Sequence, residues 1–144
     1  MAKLLHEAGH DITLWGHADR LTAIRAKGEN QRYLPGIPLP NAWRLEDDLR
    51  IALDKAICGV VAVPSASFRN AAEGLRDFNG IAVSVTKGIE HESGLTMGGV
   101  LAQCAPNAEV AALSGPSLAA EVARGIPTAL VSASEDEATA KVVQ

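Results

Sequence analysis

The chain has 144 residues, of which 47% are hydrophobic, 21% charged and only 3% aromatic, and its formal net charge is −4. That length allows one domain with a real core, and the composition excludes a disordered segment. Lys and Arg are scattered without a basic stripe, which excludes a nucleic-acid footprint, and the longest apolar stretch, Ala56 to Pro64, falls far short of the roughly 20 residues a membrane helix needs.

In chain order, Met1 to Ala8 reads as a helix stopped by Gly9, and Asp11 to Trp15 alternates like a short strand. Ala18 to Lys27 has helical spacing and ends at Gly28. Glu29 to Asn41, with Pro35, Gly36, Pro38 and Pro40, reads as a loop with extended pieces, and a short amphipathic helix follows from Glu46 to Lys55. Ile57 to Val63 is a near-continuous apolar run, the pattern of a strand buried on both faces. Helices then read over Ala66 to Phe78, Gly94 to Cys104, Ser117 to Arg124 and Asp136 to Gln144. Strands read over Ile81 to Val85, Glu109 to Leu113 and Thr128 to Val131. Strands alternating with helices predict an α/β, doubly wound parallel sheet, and abundant Ala and Val suit its layered packing. Such a unit opens with a strand, whereas this chain opens in a helix without a cap. The expectation is therefore a fold truncated at its N-terminus.

The two cysteines, Cys58 and Cys104, form neither a CxxC pair nor a disulfide framework, and read as buried thiols. The opening MAKLLHEAGH lacks the apolar core of a signal peptide, so the expected location is the cytoplasm.

Two motifs suggest chemistry that their context opposes. His6-Glu7-Ala8-Gly9-His10 spells the H-E-x-x-H of a zinc metallopeptidase, whose two histidines must share one helix face. Gly9 reads as the residue ending that helix, which puts His10 outside it. Gly115-Pro116-Ser117-Leu118-Ala119 approaches the nucleophile elbow of a serine hydrolase, but no His follows His91 to complete a triad. The same segment reads better as a helix opened by Pro116, with the amides of Ser117, Leu118 and Ala119 turned outward as an anion or carbonyl-oxygen site.

Open α/β sheets bind ligands at the carboxyl ends of their strands. Here those ends carry Trp15-Gly16-His17, Val63-Pro64-Ser65, Thr86-Lys87-Gly88 and Ser114-Gly115. His17, with Asp19 and Arg20 beside it, stands where a dinucleotide fold meets the adenosine ribose, and Lys87 ends a buried strand.

HDITLWGH, ENQRYLPGIPLP, VVAVPS, SVTKGIE, LSGPSLAAEVARGIPTALV and ASEDE, in this order and spacing, resemble the bacterial NAD(P)-dependent glycerol-3-phosphate dehydrogenases. The resemblance is to their N-terminal, Rossmann-like cofactor-binding domain, and it runs essentially from end to end. It implies reduction of dihydroxyacetone phosphate to sn-glycerol 3-phosphate with NAD or NADP as cofactor, at the head of phospholipid synthesis. It implies cofactor contacts at His17, Lys87 and Ala119, and substrate contacts at Lys87, Gly115 and Ser117. It also implies a first strand and glycine-rich phosphate loop upstream of Met1. A helical domain beyond Gln144 is expected to carry the general acid/base Lys, so residues 1–144 would be a partial NAD(P)-binding domain, inactive alone. The expected partners are the small-molecule substrate and, for the full-length enzyme, a second copy in a homodimer, with no nucleic acid and no membrane. The alternatives are a catalytically inactive dinucleotide-fold binding module and the N-terminal domain of another β-hydroxyacid-type dehydrogenase, although TKGIE and LSGPS argue against the latter.

Overall fold

The computed structural model describes residues 1–144. In chain order the elements are α1 (Ala2–Glu7), β1 (Thr13–Trp15), α2 (Ala18–Lys27), β2 (Glu29–Asn30), β3 (Leu34–Pro38), β4 (Arg44–Glu46) and α3 (Leu49–Leu53). After these come β5 (Cys58–Val61), a 3₁₀ turn (Ser65–Ser67), α4 (Phe68–Glu73), β6 (Ile81–Ser84) and α5 (Met97–Cys104). The chain finishes with β7 (Glu109–Ser114), α6 (Ala119–Ala123), β8 (Val131–Ser134) and α7 (Glu137–Val143). No helix is long and apolar enough to cross a membrane.

These elements form two compact units. One comprises Met1–Asp54 and Ser117–Thr128, the other Lys55–Pro116 and Ala129–Gln144.

In the first unit, β1 pairs with β4 in parallel, in the register Thr13 with Arg44 to Trp15 with Glu46. Gly9 takes a left-handed φ of +91° and stops α1, and Gly28, at φ +66°, stops α2 where the sequence placed its end. The proline-rich stretch expected to be a loop holds an antiparallel ribbon, β2 with β3. The helix expected from Glu46 starts at Leu49. Glu46 belongs to β4, and the Asp48 carboxylate caps α3 by accepting from the Arg50 amide at 2.9 Å. Leu21, Ile37, Trp43, Val122 and Ala123 are buried.

In the second unit the strand order is β5-β6-β7-β8. The first three strands run parallel, and β8 returns antiparallel, with Ser114 opposite Val131. The expected parallel sheet is present in β5, β6 and β7, with β8 added antiparallel at its edge, and β8 begins three residues later than the sequence suggested. Strand β6 is buried on both faces, since consecutive Ala82, Val83 and Ser84 are all buried while successive side chains point to opposite sides. Strand β5, where the same reading was expected, is not. It hydrogen-bonds only to β6, Ile57 beside it is 83% exposed, and Cys58 is an exposed thiol. Cys104 is buried as expected. Phe68, Ala72, Val100, Leu101 and Ala105 are fully buried, and α4 packs on α5, which covers β6 and β7. Side chains cap α5 and α7: Thr96 Oγ1 accepts from the Gly99 amide at 3.3 Å, and the Asp136 carboxylate from the Thr139 amide at 2.7 Å.

Candidate functional site

Because β5, β6 and β7 are parallel, their carboxyl ends lie on one edge of the second unit's sheet, the edge where such sheets take ligands. Lys87 leaves that edge three residues after β6 and is exposed, while Gly115 follows β7 directly. The loops are fastened to each other. Thr86 Oγ1 donates to the Val63 carbonyl at 2.8 Å. Gly88 holds a φ of +132° that side chains rarely adopt, and a Cβ there would lie 3.3 Å from Ser65 Cβ. At Gly115 a Cβ would fall against the Ala129 carbonyl, so the close approach of that backbone already accounts for the glycine.

Three residues beyond Lys87, Glu90 meets Arg69 of α4 in a two-pronged ion pair, with Nε to Oε1 at 2.8 Å and Nη2 on Oε2. Arg69 also donates to Gln103 Oε1 at 3.0 Å, and Ser93 Oγ to Glu90 Oε2 at 2.6 Å. The pair borders a cavity of about 320 Å³ that Ser65, Ile89, His91 and Glu92 also line. The Arg69 guanidinium, helped by the Ser93 hydroxyl, holds the Glu90 carboxyl down to about 2, and Glu90 raises Arg69 in turn. Sequence reasoning missed both residues. Glu90 was within reach, as a carboxylate in the same short segment as Lys87. Arg69 was not, because only the fold brings together positions 21 apart.

In the first unit, His17 follows β1, occupies the N-cap position of α2 and is exposed, with Asp19 and Arg20 in the helix's first turn. Its side chain makes no capping bond. Helix α6 begins at Ala119, not Ser117. The backbone of Leu118 is still extended (φ −88°, ψ 130°), and the helix has only five residues. Pro116 therefore lies outside it, and the expected amide cradle over Ser117 to Ala119 is not built as a helix start. Ser117 is half-buried two residues before that start, and Ala119 is exposed.

In the H-E-x-x-H motif His10 falls outside the helix, where its context predicts it. Helix α1 ends at Glu7, His10 lies beyond Gly9, and the His6 ring meets Trp43 edge to face at 6.0 Å. No three His, Cys, Asp or Glu side chains are grouped to hold a metal ion.

Parallel βαβ units with charged and glycine-bearing loops at the strands' carboxyl ends define an α/β domain of the Rossmann class. The profile of one such family, described as the NAD-dependent glycerol-3-phosphate dehydrogenase N-terminus, matches residues 1–140, and the chain belongs to that family. It is 41% identical, over its whole length, to the glycerol-3-phosphate dehydrogenase [NAD(P)+] of Corynebacterium glutamicum strain R, and 40% identical to that of Halorhodospira halophila. The chain spans 45% of the length of each. Among solved structures, glycerol-3-phosphate dehydrogenase from Coxiella burnetii superimposes with a TM-score of 0.87 at 31% identity, over 99% of this chain and 45% of that one. A UDP-glucose dehydrogenase from Pyrobaculum islandicum, at 15% identity and a TM-score of 0.65, shares the fold.

Proposed function

We propose that residues 1–144 form the nucleotide-binding part of an oxidoreductase that transfers a hydride between NADH or NADPH and dihydroxyacetone phosphate. The product, sn-glycerol 3-phosphate, would enter glycerophospholipid synthesis, in the cytoplasm. The observation that carries this reading is Lys87, displayed at the carboxyl end of a buried parallel strand on a loop fastened at Thr86 and Glu90. The donor set at the end of β1 suits a dinucleotide. His17 and Arg20 are exposed groups able to meet ribose or 2′-phosphate oxygens, and no carboxylate stands at position 17.

When bound, the dinucleotide supplies the hydride. Lys87 places an ammonium group against the negative charge of the substrate and of the oxygen that gains charge as C2 is reduced. Ser117 and the Gly115 backbone hold the substrate's polar groups, and Ala119 contacts the cofactor. None of these 144 residues is assigned the proton for the alkoxide, and the curated relatives are about twice as long. The full-length enzyme is proposed to be a homodimer.

The test grafts residues 1–144 in place of the matching segment of the Corynebacterium glutamicum relative. A folded graft that oxidises NADPH when given dihydroxyacetone phosphate supports the reading. Binding without turnover would favour an inactive dinucleotide module, and turnover only with oxo acids in place of dihydroxyacetone phosphate would favour another β-hydroxyacid-type dehydrogenase. Sedimentation of the same graft reads the dimer.

A further inference from the structure

We propose that Arg69 and Glu90 are positioning residues for Lys87, an inference that rests on Lys87 serving the ligand as proposed above. The loop from Val85 to Thr96 joins β6 to α5 and carries the lysine near its start. Its backbone closes on itself, with the Glu90 amide donating to the Leu95 carbonyl at 2.8 Å and the Gly94 amide to the Glu90 carbonyl at 2.9 Å. A small bridge pairs Ile89 with Thr96. These bonds give the loop its shape. They do not fix it to the body of the unit.

Two side-chain attachments do that, and Lys87 lies between them. On one side Thr86 is tied to the Val63 carbonyl after β5. On the other, the Glu90 carboxylate grips Arg69, whose helix α4 is anchored in the core by Phe68, Ala71 and Ala72. The Glu90 side chain keeps 12% of its exposure and the Arg69 side chain 36%, so the pair is more sheltered than the surface pairs, such as Arg50 with Asp48, where the arginine keeps 89%. The planar guanidinium meets the carboxylate in a fork, a geometry that fixes orientation as well as distance. Gln103 on α5 takes a further N–H of Arg69, so the arginine is itself held from two helices. Gly88 permits the turn between the lysine and this anchor. A loop fixed at both ends presents its lysine ready-placed, and a displacement of about 1 Å at such a group can cost on the order of 100-fold in rate.

The experiment uses the graft described above as wild type, Arg69→Lys, Glu90→Gln, Lys87→Met and the charge swap Arg69→Glu/Glu90→Arg. Trace acetylation with acetic anhydride, read by mass spectrometry, compares the labelling rate of Lys87 with that of Lys27 and Lys55. NADPH titration and thermal unfolding are run on the same samples. Breaking the pair is expected to change the relative labelling of Lys87 by about threefold, with Lys27 and Lys55 unchanged. NADPH affinity should fall about tenfold in Arg69→Lys and in Glu90→Gln, beyond what any loss of Tm explains, with partial recovery in the swap. Unchanged labelling of Lys87 in both single variants would overturn the proposal, as would affinity that simply follows Tm across the set. The functional reading fails separately: a folded wild-type graft without NADPH binding, or Lys87→Met binding as wild type, would sink that reading, while the labelling still decides whether the pair positions the lysine.

Discussion

Lys87 is the residue on which the proposed chemistry turns, and that proposed role makes the sharpest prediction. In the grafted enzyme Lys87→Met should lower kcat/KM about 100-fold, close to 3 kcal/mol of transition-state stabilisation. Steady-state kinetics within threefold of the parent would return it to an ordinary surface lysine. Gly115 gives a prediction of the opposite kind. Its Cβ direction is filled by the Ala129 carbonyl and flanked by Leu130, so Gly115→Ala must push backbone aside. The expected loss of stability is about 1–3 kcal/mol in urea unfolding, whatever the ligand. At single residues the sequence was legible where identity dictates the backbone, as at Gly9 and Gly28. It was less legible where identity depends on a distant partner. Nothing near Gly115 in the chain announces Ala129, and nothing near Glu90 announces Arg69.

The loop that follows β6 responds to acid as a unit. Folding holds the Glu90 carboxyl at about 2 against an ordinary 4.5, chiefly through Arg69, so the ionised pair stabilises the fold fully above pH 4.5. That contribution is lost as the pH falls from 4.5 towards 2. Glu90→Gln should therefore flatten the acid limb of stability between those values and change its slope little near neutrality, measured as Tm against pH. Among the elements, α2 matched its expected bounds residue for residue, because a clear apolar spacing ends in a glycine. The errors fell on short elements. Strand β4 has only three residues, Arg44–Glu46, two of them charged, and owes its existence to pairing with β1, which no local pattern reveals. Helix α6 starts late because its first turn is decided by the path of the loop after Gly115, and Pro116, a good helix opener in isolation, is left outside.

For the whole molecule, alternation of strand and helix gave the fold class correctly, and what it could not give was which strands would be edges. Ile57 to Val63 has the composition of a central strand, yet β5 pairs on one side only and leaves Ile57 and Cys58 exposed. An apolar strand with an unpaired edge invites association between molecules. Light scattering of the concentrated chain should therefore report self-association, and Ile57→Lys should suppress it without lowering Tm, since the side chain is 83% exposed. A variant that aggregates as the parent does would clear this edge.

The antiparallel return of β8 has a further consequence for how the molecule can be cut. Ser114 of β7 and Val131 of β8 stand directly opposite, so the 115–130 connection leaves a hairpin and comes back to its mouth, with residues 117–128 lodged in the other unit. Chain topology alone would accept a tight turn there. Replacing residues 115–130 by Asn-Gly, the pair that closes two-residue hairpins, should yield from Lys55 to Gln144 a continuous miniature α/β protein. It would keep the Lys87 loop and its Arg69 anchor and discard His17, Ser117 and Ala119. Dispersed amide resonances from that excised protein would mark the segment 117–128 as a detachable arm, separable from the folding of the strands that launch it.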